Sequence, residues 1–187
     1  MFAKLHSIEV HLDLNENRYR GIPVEPDPID FNAVSTVYRD YSTHTFEALE
    51  NWRFFPRFQL ATQAARTLRW RSIRVIAKVA AQHAQIMAEA PTTSLENVAS
   101  MIATYNRLKT FRIFPLSCIP DALACLFFLR DQGCKADFVI GVRENPFRAH
   151  AWLEINGTVA NDVVANVFNY TPILRTSRDE NLREISP

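Results

Sequence analysis

The sequence predicts an α+β protein in which a short N-terminal β-hairpin and a helical segment precede a helix packed on a small antiparallel sheet. Three observations carry this. Residues 7–14 alternate apolar and polar side chains, residues 57–130 repeat apolar positions at helical spacing, and residues 149–164 flank Asn156-Gly157, a strong hairpin signal. At 187 residues the chain is long enough for one ordinary domain or two small ones.

At the N-terminus Ile8, Val10, Leu12 and Leu14 have the period of a half-buried strand, Asn15-Glu16-Asn17 supplies a turn, and residues 19–22 return as a second strand. Three prolines and three acids make residues 23–30 a rigid connector. From about Phe31 the pattern becomes helical. Residues 57–88 carry Leu60, Ala64, Leu68, Val75, Ile76 and Val79 between basic side chains, which predicts one long or kinked amphipathic helix. Pro91 ends it, and Thr93 with Glu96 three residues later reads as a capping box opening the next helix. Leu95, Val98, Ile102, Tyr105 and Leu108 form the packed face of that helix.

The composition excludes several function classes. Four glycines, Gly21, Gly133, Gly141 and Gly157, lie too far apart for a dinucleotide fingerprint or a phosphate-cradling loop. A net charge of +1 gives no footprint for nucleic acid. Charge is nevertheless uneven, because residues 1–50 hold nine acids against four bases, whereas residues 51–83 hold seven bases and no acid. That basic stripe is either a solvated helix face or a dock for an acidic peptide. No apolar run is long enough for a signal peptide core or a membrane span, so a cytoplasmic protein is expected. Three cysteines at irregular spacing argue for reduced thiols rather than disulfides or structural zinc, and His6, His11, His44 and His83 show no metal-ligand pattern.

Ser117-Cys118-Ile119-Pro120-Asp121 opens an apolar helical run through Arg130 that Gly133 stops, so Cys118 falls at a helix N-terminus. There the helix end favours thiolate, the nucleophilic form. Taken alone, Cys118 reads first as a small buried hydrophobe, and Cys125 and Cys134 keep that reading. After Gly133, residues 138–140 form a strand and residues 142–147 a loop. His150 then lies on the first strand of the hairpin and Asp162 on the second. A two-residue loop at Asn156-Gly157 would set His150 opposite Val163 and turn Asp162 to the other face. A three-residue loop, Ile155-Asn156-Gly157, would set His150 opposite Asp162 with Cβ atoms roughly 4.5–5.5 Å apart. A Cys118–His150–Asp162 triad therefore requires the odd register or a bulge that restores it. In such a triad His150 takes the thiol proton, Asp162 orients the imidazole, and the Cys118 N–H is one oxyanion donor.

The run GVRENPFRAHAWLE, Gly141 to Glu154, with Cys118 before it and Asn156-Gly157 and Asp162 after it, resembles the lasso-peptide B proteins, over roughly residues 57–170. The resemblance implies a papain/transglutaminase-like core over residues 52–187 with Cys118, His150 and Asp162 catalytic. It implies a leader peptidase acting on a ribosomally made lasso precursor, whose freed α-amine a partner macrolactam synthetase resembling asparagine synthetase joins to an acidic side chain. Family cleavage is ATP-dependent, and with no phosphate loop here any ATP requirement is expected to belong to the synthetase. Residues 8–22 look like the strand pair of the family's peptide-recognition domain, which binds leader by strand addition. With its helices squeezed into residues 31–51, the segment 1–51 is truncated, so that leader binding needs another protein or the hairpin is a remnant. Trp152 is expected either to wall the substrate cleft or to pack the core, and Arg143 and Arg148 either meet substrate carboxylates or are solvated. Two other functions fit the same residues: amide-forming acyl transfer, and a noncatalytic scaffold that presents precursor to the synthetase.

Overall fold

Alternation near the N-terminus builds the expected strand pair. In the computed structural model, which describes residues 2–4, 8–14, 16–23, 39–40 and 50–177, β2 (Ile8–Asp13) and β3 (Arg18–Pro23) run antiparallel with Leu12 opposite Tyr19. The sequence did not announce β1 (Phe2–Lys4), which pairs with β2 to complete a three-stranded sheet. Val10 and Leu12 are buried in the same core as the helices. Asn17, at φ 56°, turns the hairpin and accepts the Ile73 N–H at 2.8 Å.

The connector beyond Pro23 and most of the helical stretch expected over residues 31–51 lie outside the described residues. Within that stretch β4 (Arg39–Asp40) is a strand, paired in parallel with Thr158–Val159.

The basic segment forms two helices, α1 (Phe55–Leu68) and α2 (Ile73–Glu89). Ser72 divides them by capping α2, its side chain accepting the Val75 N–H. The buried stripe of α1 is Phe58, Ala61, Thr62 and Ala65, while Leu60 is 74% exposed. On α2 the buried side chains are Ile73, Ile76, Ala77, Ala80 and Met87, and Val75 is exposed. The expected stripe was therefore misplaced: Leu60, Ala64, Leu68 and Val79 line an open groove of about 400 Å³. Among the basic side chains, Arg57 pairs with Asp131 and Arg69 lies over the Trp70 ring.

The next helix, α3 (Leu95–Leu108), begins one residue later than the capping box implied, with Ser94 rather than Thr93 accepting from the Asn97 N–H. Val98, Ile102, Tyr105 and Leu108 are buried as expected, whereas Leu95 is exposed because it sits in the first turn above the core. The helix α4 (Cys118–Phe128) is apolar nearly all round and packs against α1 and β6 (Arg148–Ile155). It ends at Phe128, two residues before the expected limit.

The second sheet has the order β4-β7-β6-β5-β8, with β5 (Ala136–Arg143), β7 (Thr158–Val159) and β8 (Thr171–Arg175). β5 takes in Gly141, Val142 and Arg143, so the loop to β6 is shorter than expected and Gly141 lies opposite His150. The hairpin has the two-residue loop, since Glu154 faces Val159 and Ile155 faces Thr158. Asn156 and Gly157 have φ of 51° and 79°, the positive pair a type I′ turn demands. β7 stops at Val159, five residues short of the expected strand, and α5 (Val164–Val167) follows.

Candidate active site

Cys118 is the first residue of α4, after Ser117, and Asp121 N–H donates to the Ser117 carbonyl at 3.0 Å to close the first turn. Pro120 fits this turn because its missing N–H would have had no partner inside the helix. The thiol is half-buried. Burial alone would push its pKa up, but the hydrogen bond and charge of His150 and the backbone N–H groups of Ala151 and Ile119 outweigh that and hold it below the ordinary thiol value.

β6 carries His150 over the start of α4. Its Nε2 lies 2.7 Å from Asp162 Oδ2, which leaves Nδ1 for the Cys118 thiol. The bond to Asp162, then that to Cys118, raise the His150 pKa to about 9 against the opposing effect of burial. Both displacements point the same way, toward thiolate beside imidazolium.

Asp162 follows the end of β7. Burial would raise its pKa, yet His150, the Asn166 amide at 2.7 Å and the Val163 N–H at 2.8 Å together hold the carboxylate below its ordinary range. Cys118, His150 and Asp162 thus meet without the odd register. Instead of a compensating bulge, the second strand ends early and the chain bends at Asn161-Asp162.

Trp152, one of the residues expected beside substrate, is wholly buried and so does not wall an open cleft. It packs behind His150, ring centroids 6.0 Å apart, and donates its indole N–H to Glu154 at 2.7 Å, while Glu154 is paired with Arg175. Gly141 makes room for it, since a Cβ there would lie 2.7 Å from the Trp152 ring. Arg143 lies over the Tyr170 ring, which packs on His150 at 5.3 Å. Arg148 is exposed at the far end of the β5–β6 hairpin, across from Arg143.

Two features escaped the sequence. Tyr19 of β3 is half-buried; burial first, and the charge of Cys118 second, raise its hydroxyl pKa, so the hydroxyl of the N-terminal sheet is neutral and within electrostatic reach of the thiol. It also meets Phe147 edge to face. No local signal in residues 8–22 marks this contact. The second is a cleft of about 490 Å³ beside the N-terminus of α4, edged by Arg66, Arg69, Phe114 and Ser117. The remaining cysteines behave as small hydrophobes: burial pushes Cys125 well above the ordinary thiol value and Cys134 to about 11.

The family model for the transglutaminase-like superfamily matches residues 58–175, more than half of the chain, and that span contains Cys118, His150 and Asp162. A stretch of 50 residues is 40% identical to the microcin J25-processing protein McjB of Escherichia coli, covering 27% of this chain and 24% of that protein. The match therefore spans about a quarter of the length of that curated relative. No solved structure matches the chain.

Proposed function

Because the chain belongs to the transglutaminase-like superfamily, we propose that it is a cytoplasmic cysteine peptidase removing the leader from a ribosomally made lasso-peptide precursor. The observation that carries this reading is the juxtaposition of a helix-terminal thiol with a histidine that Asp162 keeps protonated up to about 9. The likeness to a microcin-processing protein supports the choice of substrate class.

The Cys118 thiolate attacks the carbonyl carbon at the leader–core junction. The oxyanion meets the N–H groups at the start of α4. The C–N bond breaks as the His150 imidazolium gives its proton to the core's departing α-amine, leaving the leader as a thioester on Cys118. Water then attacks that thioester, its proton passing to neutral His150, and the leader leaves as a carboxylate. Asp162 holds the imidazole so that Nδ1 faces sulfur in both halves of the reaction.

The freed α-amine is the nucleophile a macrolactam synthetase requires, so this enzyme supplies a partner synthetase with its substrate. The dispersed glycines build no nucleotide cradle, and any ATP requirement falls to that partner. Residues 1–51 are read as a peptide-recognition-like segment and residues 52–187 as the peptidase, with Arg143 and Arg148 near the path of the substrate.

The test is Cys118→Ala with precursor present, read by product mass. Lost cleavage with retained precursor binding is the expected result, and unchanged leader removal would overturn the reading. A wild-type product in which leader is conjugated to an amine, rather than released as free acid, would indicate acyl transfer.

A further inference from the structure

We propose that Asn161 is a positioning residue, the latch that peels the chain off the hairpin and presents Asp162 to His150; this rests on the peptidase reading above. The two-residue loop sets the problem. Continued in register from Ile155↔Thr158, the second strand would bring Val163 opposite His150 and turn Asp162 to the other face.

The departure occurs at one residue pair. Residues directly opposite in an antiparallel ladder exchange both backbone hydrogen bonds when they form a bonded pair. Leu153 and Ala160 form such a pair by register, yet they exchange only one bond, Ala160 N–H to Leu153 C=O at 2.8 Å. The Leu153 N–H goes instead to Asn161 Oδ1 at 2.8 Å, and the Ala160 carbonyl goes to the Asn106 amide at 2.9 Å. A side-chain carbonyl has taken the place of a main-chain one. That exchange stops the ladder and frees residue 162 to swing toward β6.

The latch is anchored on the helix that carries the nucleophile. Asn161 Nδ2 donates to Asp121 Oδ2 at 2.9 Å, and Lys109 Nζ holds the Asn161 carbonyl at 2.6 Å. Asp121 is itself buried and fixed by the Tyr105 hydroxyl at 2.9 Å and by Arg112. It lies one turn beyond Cys118 on α4. One buried network therefore sets the nucleophile helix against the loop bearing the third triad member. The asparagine amide satisfies both partners: its Nδ2 donates to a carboxylate while its Oδ1 accepts from an N–H. Alanine would leave the buried Leu153 N–H unmet and take one of its donors from Asp121, and aspartate would set two carboxylates together.

The experiment needs no substrate in its first arm. The rate at which iodoacetamide alkylates Cys118, located by peptide mass, is followed against pH in the wild type, Asn161→Ala and Asn161→Asp. The wild type is expected to react as thiolate well below the ordinary thiol range. Both variants are expected to lose that arm, with reactivity near neutral pH falling about tenfold or more. In the second arm, precursor cleavage is expected to lose kcat with KM little changed. A folded Asn161→Ala protein that keeps the wild-type alkylation profile and kcat overturns the proposal. If neither variant folds, Asn106→Ala removes only the bond to the Ala160 carbonyl; a smaller change in the same direction supports the latch, and none overturns it. A wild type lacking the low-pH arm overturns the triad itself, and the latch with it.

Discussion

His150 and Asp162 meet at 2.7 Å across a hairpin whose register sets their positions on opposite faces. The contact exists because the second strand ends at Val159 and residues 160–162 bend back toward β6. Charge, buried polar bonds and one glycine converge on this pair, and each supports a measurable expectation.

In the proposed peptidase reaction, the pH dependence of cleavage follows from the ion pair. His150 stays protonated up to about 9, and the Cys118 thiol ionises below its ordinary value. Activity is expected to fall on the alkaline side with a midpoint near 9, as the imidazolium that protonates the leaving amine is lost. The acid limb follows protonation of the thiolate. Stability linked to His150 has the same direction: its folded pKa lies above the ordinary 6.5, so the contribution is full below that value and is lost as pH rises through about 9. A kcat/KM profile and thermal unfolding at about pH 6 and about pH 10 check both, and a flat profile through 9 contradicts them.

Asp162→Asn retains shape but removes the charge that raises the His150 pKa and fixes its tautomer. The expected loss in kcat is about 10²–10⁴-fold, with KM nearly unchanged. Steady-state kinetics decide it, and titration of His150 by NMR should give a pKa displaced downward.

Gly141→Ala places a methyl group 2.7 Å from the Trp152 ring and 3.0 Å from the Tyr170 Cβ, and both rings pack on His150. Overpacking here is expected to cost about 1–3 kcal/mol and to lower kcat as His150 is displaced. Gly157→Ala is the control: a Cβ meets nothing within 4 Å, but φ is 79°. It should cost about 1–2 kcal/mol from backbone strain and leave kcat in place. Denaturant melts with parallel kinetics separate the two.

Tyr19→Phe keeps the ring against Phe147 and removes only the hydroxyl. With the ring contact kept, kcat, KM and the unfolding midpoint are expected to hold, and a loss of about tenfold in kcat would mark the hydroxyl as an oxyanion donor. Equal kcat in the two proteins would confine Tyr19 to packing.

Local chemistry alone determined the positions of the main chemical groups. Ser117-Cys118-Ile119-Pro120 places a thiol at a helix start because proline's preference for a first helical turn acts locally. Asn156-Gly157 dictates a tight turn through two positive φ angles, and the apolar run after Cys118 declares a helix buried on most sides. Everything that depended on a distant partner was decided by tertiary structure. The apolar stripe of residues 57–88 was misread because Ser72 splits the segment and each half turns its own face to the core. Trp152 belongs to the core rather than the cleft because Gly141, opposite His150 on the neighbouring strand, leaves it space. The hairpin register followed turn chemistry, as the Asn-Gly pair prefers, and Asp162 reached His150 all the same because Leu153 took the Asn161 side chain as its partner. A backbone N–H has no identity of its own, so which acceptor it takes depends on what α3 and α4 bring beside it, and that is known only once the chain has folded.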